Sequence, residues 1–173
     1  GVLAVTWQRF PCLAVSQLTA VLSSAVIAVF EPVLGKIVAL AVLMPIVASM
    51  GGNAGTQTLT VAVRALATRN LTMANMARVV GREVAVGAVN GLGFAVLVGA
   101  IAWVWFGDAG IAGVIALAMV GTMVAAGLAG ILIPIALDRL KVDPALGSGA
   151  FVTTVTDVVG FFAFLGLATL LLL

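Results

Sequence analysis

The chain has 173 residues, of which 64% are hydrophobic and only 8% charged; its formal net charge is +2 and it has no histidine. So few charges, against the roughly 25% usual in soluble domains, and a mean hydropathy of +1.33 exclude a water-covered globule and point to an all-α integral membrane protein. Cys12 is the single cysteine, which excludes an intrachain disulfide and a Cys/His metal site, so any metal must be held by oxygen.

The opening "GVLAVTWQRFP" lacks the basic start and small-residue cleavage site of a signal peptide. It reads as the start of a fragment whose natural N-terminal part has been removed. Five apolar stretches follow, Pro11–Phe30, Val33–Val63, Glu83–Phe106, Ile111–Leu137 and Leu146–Leu173, each long enough to span a bilayer at about 20 helical residues per crossing. Their separators are "EPVLGK", "RALATRNLTMANMARVVGR", "GDAG" and "DRLKVDP". With five spans, Arg9, Arg64, Arg69, Arg78, Arg82, Arg139 and Lys141 share one side and Lys36 lies on the other. The excess of Lys and Arg assigns that side to the cytoplasm, which places the N-terminus inside and Leu173 outside. The small net charge thus reports topology and not a nucleic-acid partner. Trp7, Trp103, Trp105 and Phe106 fit interfacial anchors, and the surrounding partner is membrane lipid.

The first span carries a polar stripe of Ser16, Gln17, Thr19, Ser23 and Ser24, read as facing other helices. In the second span, "MPIVASMGGNAGTQTLTVAVRAL" is long for a straight crossing, about 43 Å of helix against a core of about 30 Å. Strong tilt or a break is expected, with Pro45 favouring a kink and Gly51 and Gly52 lowering the cost of leaving helical geometry. Glycines also serve close packing. Asn53, Thr56 and Gln57 directly after them favour a hydrated path instead, because amides in lipid need partners. Unwound backbone beside such a path can offer carbonyl oxygens to a cation.

In the third span, Asn90 between Gly87 and Gly91 reads as a small-residue packing face with an interhelical amide bond. Glu83, beside Arg82, reads as interfacial. Gly121/Ala125 and Gly127/Gly130 in the fourth span read as packing pairs, with a kink at Pro134.

The fifth span, "DPALGSGAFVTTVTDVVGFFAFLGLATLLLL", holds Asp157 among uncharged residues. An intramembrane carboxylate is costly and by default functional. Helical spacing places Ala150, Thr153, Thr154, Gly160, Phe161 and Phe164 on its face. Asp157 and Asn53 each lie about 16 Å of helix from the cytoplasmic ends of their spans, which brings both anomalies to one depth. No nucleophile triad, P-loop lysine or HExxH pattern is present, so an enzyme is not expected.

The segments "MPIVASMGGNAGTQTLTVAVRAL", "NGLGF", "DPALGSGAF" and "TTVTDVVGFFAF" closely resemble the transmembrane domain of the MgtE family of magnesium channels, in the family's order and over essentially the whole chain. The resemblance implies a homodimer of five-helix subunits with a pore at the dimer interface, lined by the second and fifth helices and conducting Mg²⁺ into the cytoplasm. It implies that Asp157 is the pore carboxylate and that the backbone from Gly51 through Gly52, Asn53 and Ala54 to Gly55 lies beside the ion. Thr153 and Thr154 join Asp157, Asn53, Gly51 and Gly52 as expected ion contacts. Ala54, Gly55, Gln57, Ala150, Gly160 and Phe161 are the expected pore lining. Upstream cytoplasmic sensing domains, usual in the family, are not part of the 173 residues, which read as a single pore domain. A coupled antiporter using Asp157 in alternation, and a membrane assembly module without transport, are the readings of other classes.

Overall fold

A computed structural model of the chain describes residues 1–173, the surroundings of Leu146 and Gly147 excepted. Among the described residues it contains α1 (Val2–Val29), α2 (Glu31–Lys36), α3 (Val38–Ala67), α4 (Met76–Phe106), α5 (Ala109–Arg139) and α6 (Pro144–Leu172), and no strand. Five of these, all but α2, are long and apolar enough to cross a membrane. The chain is a multi-pass membrane protein.

The turns follow local chemistry. Gly107 ends α4 in the left-handed region, at φ 65°, where a residue with a side chain is strained. Asp108 then starts α5, its carboxylate accepting hydrogen bonds from the Gly110 and Ile111 amides at 2.8 and 3.3 Å. Asp143 does the same for α6 by accepting from the Ala145 amide at 3.0 Å, and Pro144 fills the first helical position, where its missing N–H costs nothing.

The expected span boundaries shift where polar residues continue a helix. The segment "EPVLGK" is not a loop but α2, started by Glu31 and Pro32. The third span begins at Met76 rather than Glu83, because an Arg-bearing surface helix can extend beyond the lipid core. The first span runs through Pro11.

The expected break at the glycines is absent: α3 is helical throughout from Val38 to Ala67, with Pro45 inside it. Its roughly 45 Å includes Arg64 in the last turn, so its surplus length lies beyond the apolar core instead of being absorbed by unwinding.

Helix α5 is the centre of the bundle. It packs on α4, α6 and α3, whereas α1 lies against α6 and α2 alone at the periphery. Small residues permit this. A Cβ at Gly87 would stand 2.7 Å from the Met123 carbonyl oxygen, one at Gly127 would stand 2.8 Å from that of Glu83, and one at Gly130 would stand 2.8 Å from that of Gly55. The glycine faces of the third and fourth spans are therefore packing faces, as the spacing suggests. Gly121 is the exception, because it faces open space. The apolar core joins Leu40, Leu43 and Val47 of α3 to Ile115, Met119, Phe164 and Leu165. The loops α3–α4 and α5–α6 lie at one end with Arg64, Arg69, Arg78, Arg82, Arg139 and Lys141, here called the basic end.

Candidate functional site

Helices α3 and α6 run antiparallel and in register. A Cβ on Gly160 would lie 2.9 Å from Val47, one on Gly51 would lie 3.2 Å from Thr156, and one on Gly55 would lie 2.7 Å from Val152. Each step toward the basic end advances one turn down α3 and one turn back along α6. Asp157 is thus level with Met50 and Gly51, and Asn53 is level with Thr154. The polar anomalies of the two helices do share one depth.

This contact line separates the glycines into two roles. Gly51 and Gly55 are buried and point into the packing of α3 against α5 and α6; a Cβ at Gly51 would stand 2.7 Å from Thr122 Cγ2. Gly52 has nothing within 4 Å of where its Cβ would be. By helical geometry it lies about 100° round from Gly51, on the side of the α3–α6 contact to which Thr153 and Asp157 also turn. Asp157 is half-exposed there, and Ser49, Thr56 and Thr153 are exposed. A shallow groove results, with Ser49, Gly52 and Thr56 on one wall and Ala150, Thr153 and Asp157 on the other.

The groove offers oxygen lone pairs. Thr56 Oγ1 donates to the Gly52 carbonyl at 2.8 Å, Thr60 Oγ1 to the Thr56 carbonyl at 2.9 Å, and Thr153 Oγ1 to the Gly149 carbonyl at 3.0 Å. Thr154 Oγ1 likewise donates to Ala150 at 2.6 Å. With its one proton spent on its own helix, each hydroxyl keeps acceptor capacity for a water or a cation. Together with the Asp157 carboxylate this makes an acceptor-rich strip at membrane depth, on a face where Ser49, Thr56 and Thr153 are exposed.

Other expected residues fall elsewhere. Gly160 is buried against Val47 and Thr122, and Phe161 and Phe164 belong to the apolar core. The face drawn around Asp157 from spacing is therefore open on the basic-end side of the carboxylate and packed beyond it. Asn53, Ala54 and Gln57 turn the other way and line a cavity of about 230 Å³ between α3, α4 and α5, with Thr58, Glu83 and Asn90. Asp157 lies outside it. Among the described residues no three carboxylate, cysteine or histidine side chains converge as a metal cluster.

Ser49 carries little signal in the sequence because it follows Pro45 in an apolar run, yet its spacing to Gly52 and Thr56 places it on the groove wall. Glu83 was masked differently. With α4 starting at Met76 it is not terminal but part of a face continued by Val86, Gly87, Asn90 and Phe94.

The chain is similar over most of its length to proteins of one family. A family profile named MgtE, described as a divalent cation transporter, matches residues 44–167, a range that contains both groove walls. The magnesium transporter MgtE of Bacillus subtilis is 34% identical over 94% of this chain and 36% of its own length. That of Thermus thermophilus is 38% identical over 99% of this chain and 38% of its own length. That of Enterococcus faecalis is 32% identical over 94% of this chain and 36% of its own length. The chain spans little more than a third of the length of these relatives. By its match across most of its length, the chain belongs to the MgtE family of divalent cation transporters.

Proposed function

We propose that the chain is the pore domain of a magnesium channel and that two copies form the path by facing their α3–α6 grooves. The observation that carries this reading is Asp157, half-exposed at the depth of Gly51 on an open face that also presents Thr153, Gly52 and Thr56. A lone carboxylate exposed to lipid is costly, and a second groove across a two-fold axis would cover it. The magnesium named for the relatives suits this chemistry. Mg²⁺ demands six oxygens at 2.0–2.1 Å and dehydrates reluctantly, so it passes most readily as a hydrated ion.

Two Asp157 carboxylates would balance the ion's two charges through its waters. Thr153, Thr154 and Thr56 hydroxyls would accept from those waters on the basic-end side. One carboxylate per subunit attracts a cation without caging it, and conduction requires that the ion leave as readily as it enters. The basic end faces the cytoplasm in this reading, in keeping with the distribution of Lys and Arg, and the ion moves toward it. No enzymatic step is involved.

The experiment is Mg²⁺ uptake into liposomes holding the purified chain, with a Mg²⁺ gradient and no Na⁺ or H⁺ gradient. Uptake is expected. Uptake that begins only when a counter-ion gradient is imposed would support coupled antiport instead, and none under either condition would leave an assembly module.

A further inference from the structure

The cavity on the far side of α3 is separate from the groove, and its lining is not that of a packing defect. Glu83 of α4 and Gln57 and Thr58 of α3 stand in its basic-end part, Asn53 follows one turn along α3, and Asn90, Met50, Phe94 and Met123 line the part beyond; the space opens to the side, where Asn53, Gln57 and Asn90 are exposed. Helices α3 and α4 barely touch. Their separation is held open because both pack on α5 through glycines, Gly87 over Met123, Gly127 under Glu83, and Gly130 against Gly55 and Thr58. Thr58 Oγ1 donates to Glu83 Oε2 at 3.3 Å, which fixes the carboxylate toward the cavity and leaves its remaining lone pairs free. Arg82 precedes Glu83 in sequence, but it is exposed and lies outside the lining.

We infer that this cavity is a second cation site, taking a hydrated divalent ion held through its waters by the Glu83 carboxylate and the Asn53, Gln57 and Asn90 amide oxygens. Size agrees. A divalent ion with six waters at magnesium's metal–oxygen distance fills about 180 Å³, and the cavity holds about 230 Å³. Charge agrees as well, because Glu83 is the one ionisable group in the lining and every other polar member can present oxygen. Asn53 and Gln57 follow the glycines of the groove on the same helix, so an ion here bears on the α3 backbone from the side opposite Asp157. Occupancy therefore stiffens the spacing of α3 from α4. The site does not depend on the pore reading, since it is complete within one chain.

The test counts bound Mn²⁺ by electron paramagnetic resonance on the purified chain in nanodiscs, with Mn²⁺ as the only divalent ion. Asp157→Asn removes the groove charge and isolates the cavity. In that background about one Mn²⁺ per chain remains. Adding Glu83→Gln weakens it at least tenfold, and so does adding Asn90→Leu, which fills the cavity but keeps the carboxylate. Asn90→Leu also decides the matter where Glu83→Gln does not yield a monodisperse protein. Absence of Mn²⁺ from the Asp157→Asn protein, indifference to both added variants, or a loss with Glu83→Gln alone would overturn the site, the last because it would mark a surface carboxylate. The effect of Asp157→Asn on the total count reports separately on the groove.

Discussion

At the scale of single residues, adjacent glycines do opposite work. Gly51 is a contact: its Cβ would meet Thr122 at 2.7 Å and Thr156 at 3.2 Å. Over-packing of this kind costs about 1–3 kcal/mol. Gly52 has open space where its Cβ would be, and alanine in a helix interior is favoured over glycine by about 0.8–1.0 kcal/mol. Gly51→Ala should therefore lower the apparent Tm in detergent by several degrees, whereas Gly52→Ala should leave it unchanged or raise it. Equal losses in the two variants, read by size-exclusion thermostability, would remove the distinction between packing wall and groove wall. The same logic marks Gly87 as intolerant, since its obstacle is the Met123 backbone carbonyl at 2.7 Å and a backbone atom on the central helix cannot rotate aside. Gly87→Ala should lose more stability than Gly93→Ala, whose Cβ meets nothing within 4 Å.

At the scale of helices, both ends and faces matter. The loops that carry the basic residues share one end, and the turn at Gly107–Asp108 lies at the other. In a Cys12→Ala background, Ala74→Cys should react with a membrane-impermeant maleimide only from the cytoplasmic side of intact cells, and Ala109→Cys only from outside. Inverted labelling would reverse the direction given to the path. Five spans and their order were legible in the sequence because runs of apolar residues and the positions of Lys, Arg, Gly and Pro report them directly. Helix ends were less legible: nothing in "LTMANMARVVGR" separates lipid-embedded helix from helix continuing into water, so the sequence does not distinguish a start at Glu83 from the start at Met76. The continuity of α3 was not legible either. A glycine pair in a long span is equally consistent with unwinding and with close packing, and only the position of Thr122 and Thr156 beside Gly51 decides between them. Asp157 was plain as a lone charge, and Thr153 as its neighbour by spacing. The assignment of Gly160 and Phe161 to the same open face was not, because burial depends on which helix lies opposite: Gly160 meets Val47 of α3 and Thr122 of α5, and Phe161 joins the apolar core.

At the scale of the molecule, one subunit presents half of something. The groove is open and acceptor-rich, its far end is sealed by packed apolar residues, and α1 lies at the periphery against α6 and α2. If two grooves meet about a two-fold axis, Thr153→Cys in the Cys12→Ala background should give a dimer-sized band with a short bis-maleimide, and Phe94→Cys, which lines the cavity on the opposite side, should not. The central claim is that Asp157 supplies the charge that draws the ion in. The direct measurement is Mg²⁺ flux into liposomes at matched amounts of folded protein for Asp157 and Asp157→Asn. Asparagine keeps the shape and an acceptor oxygen and removes only the charge. A fall in flux of at least tenfold is predicted, and equal flux in the two proteins would contradict the account.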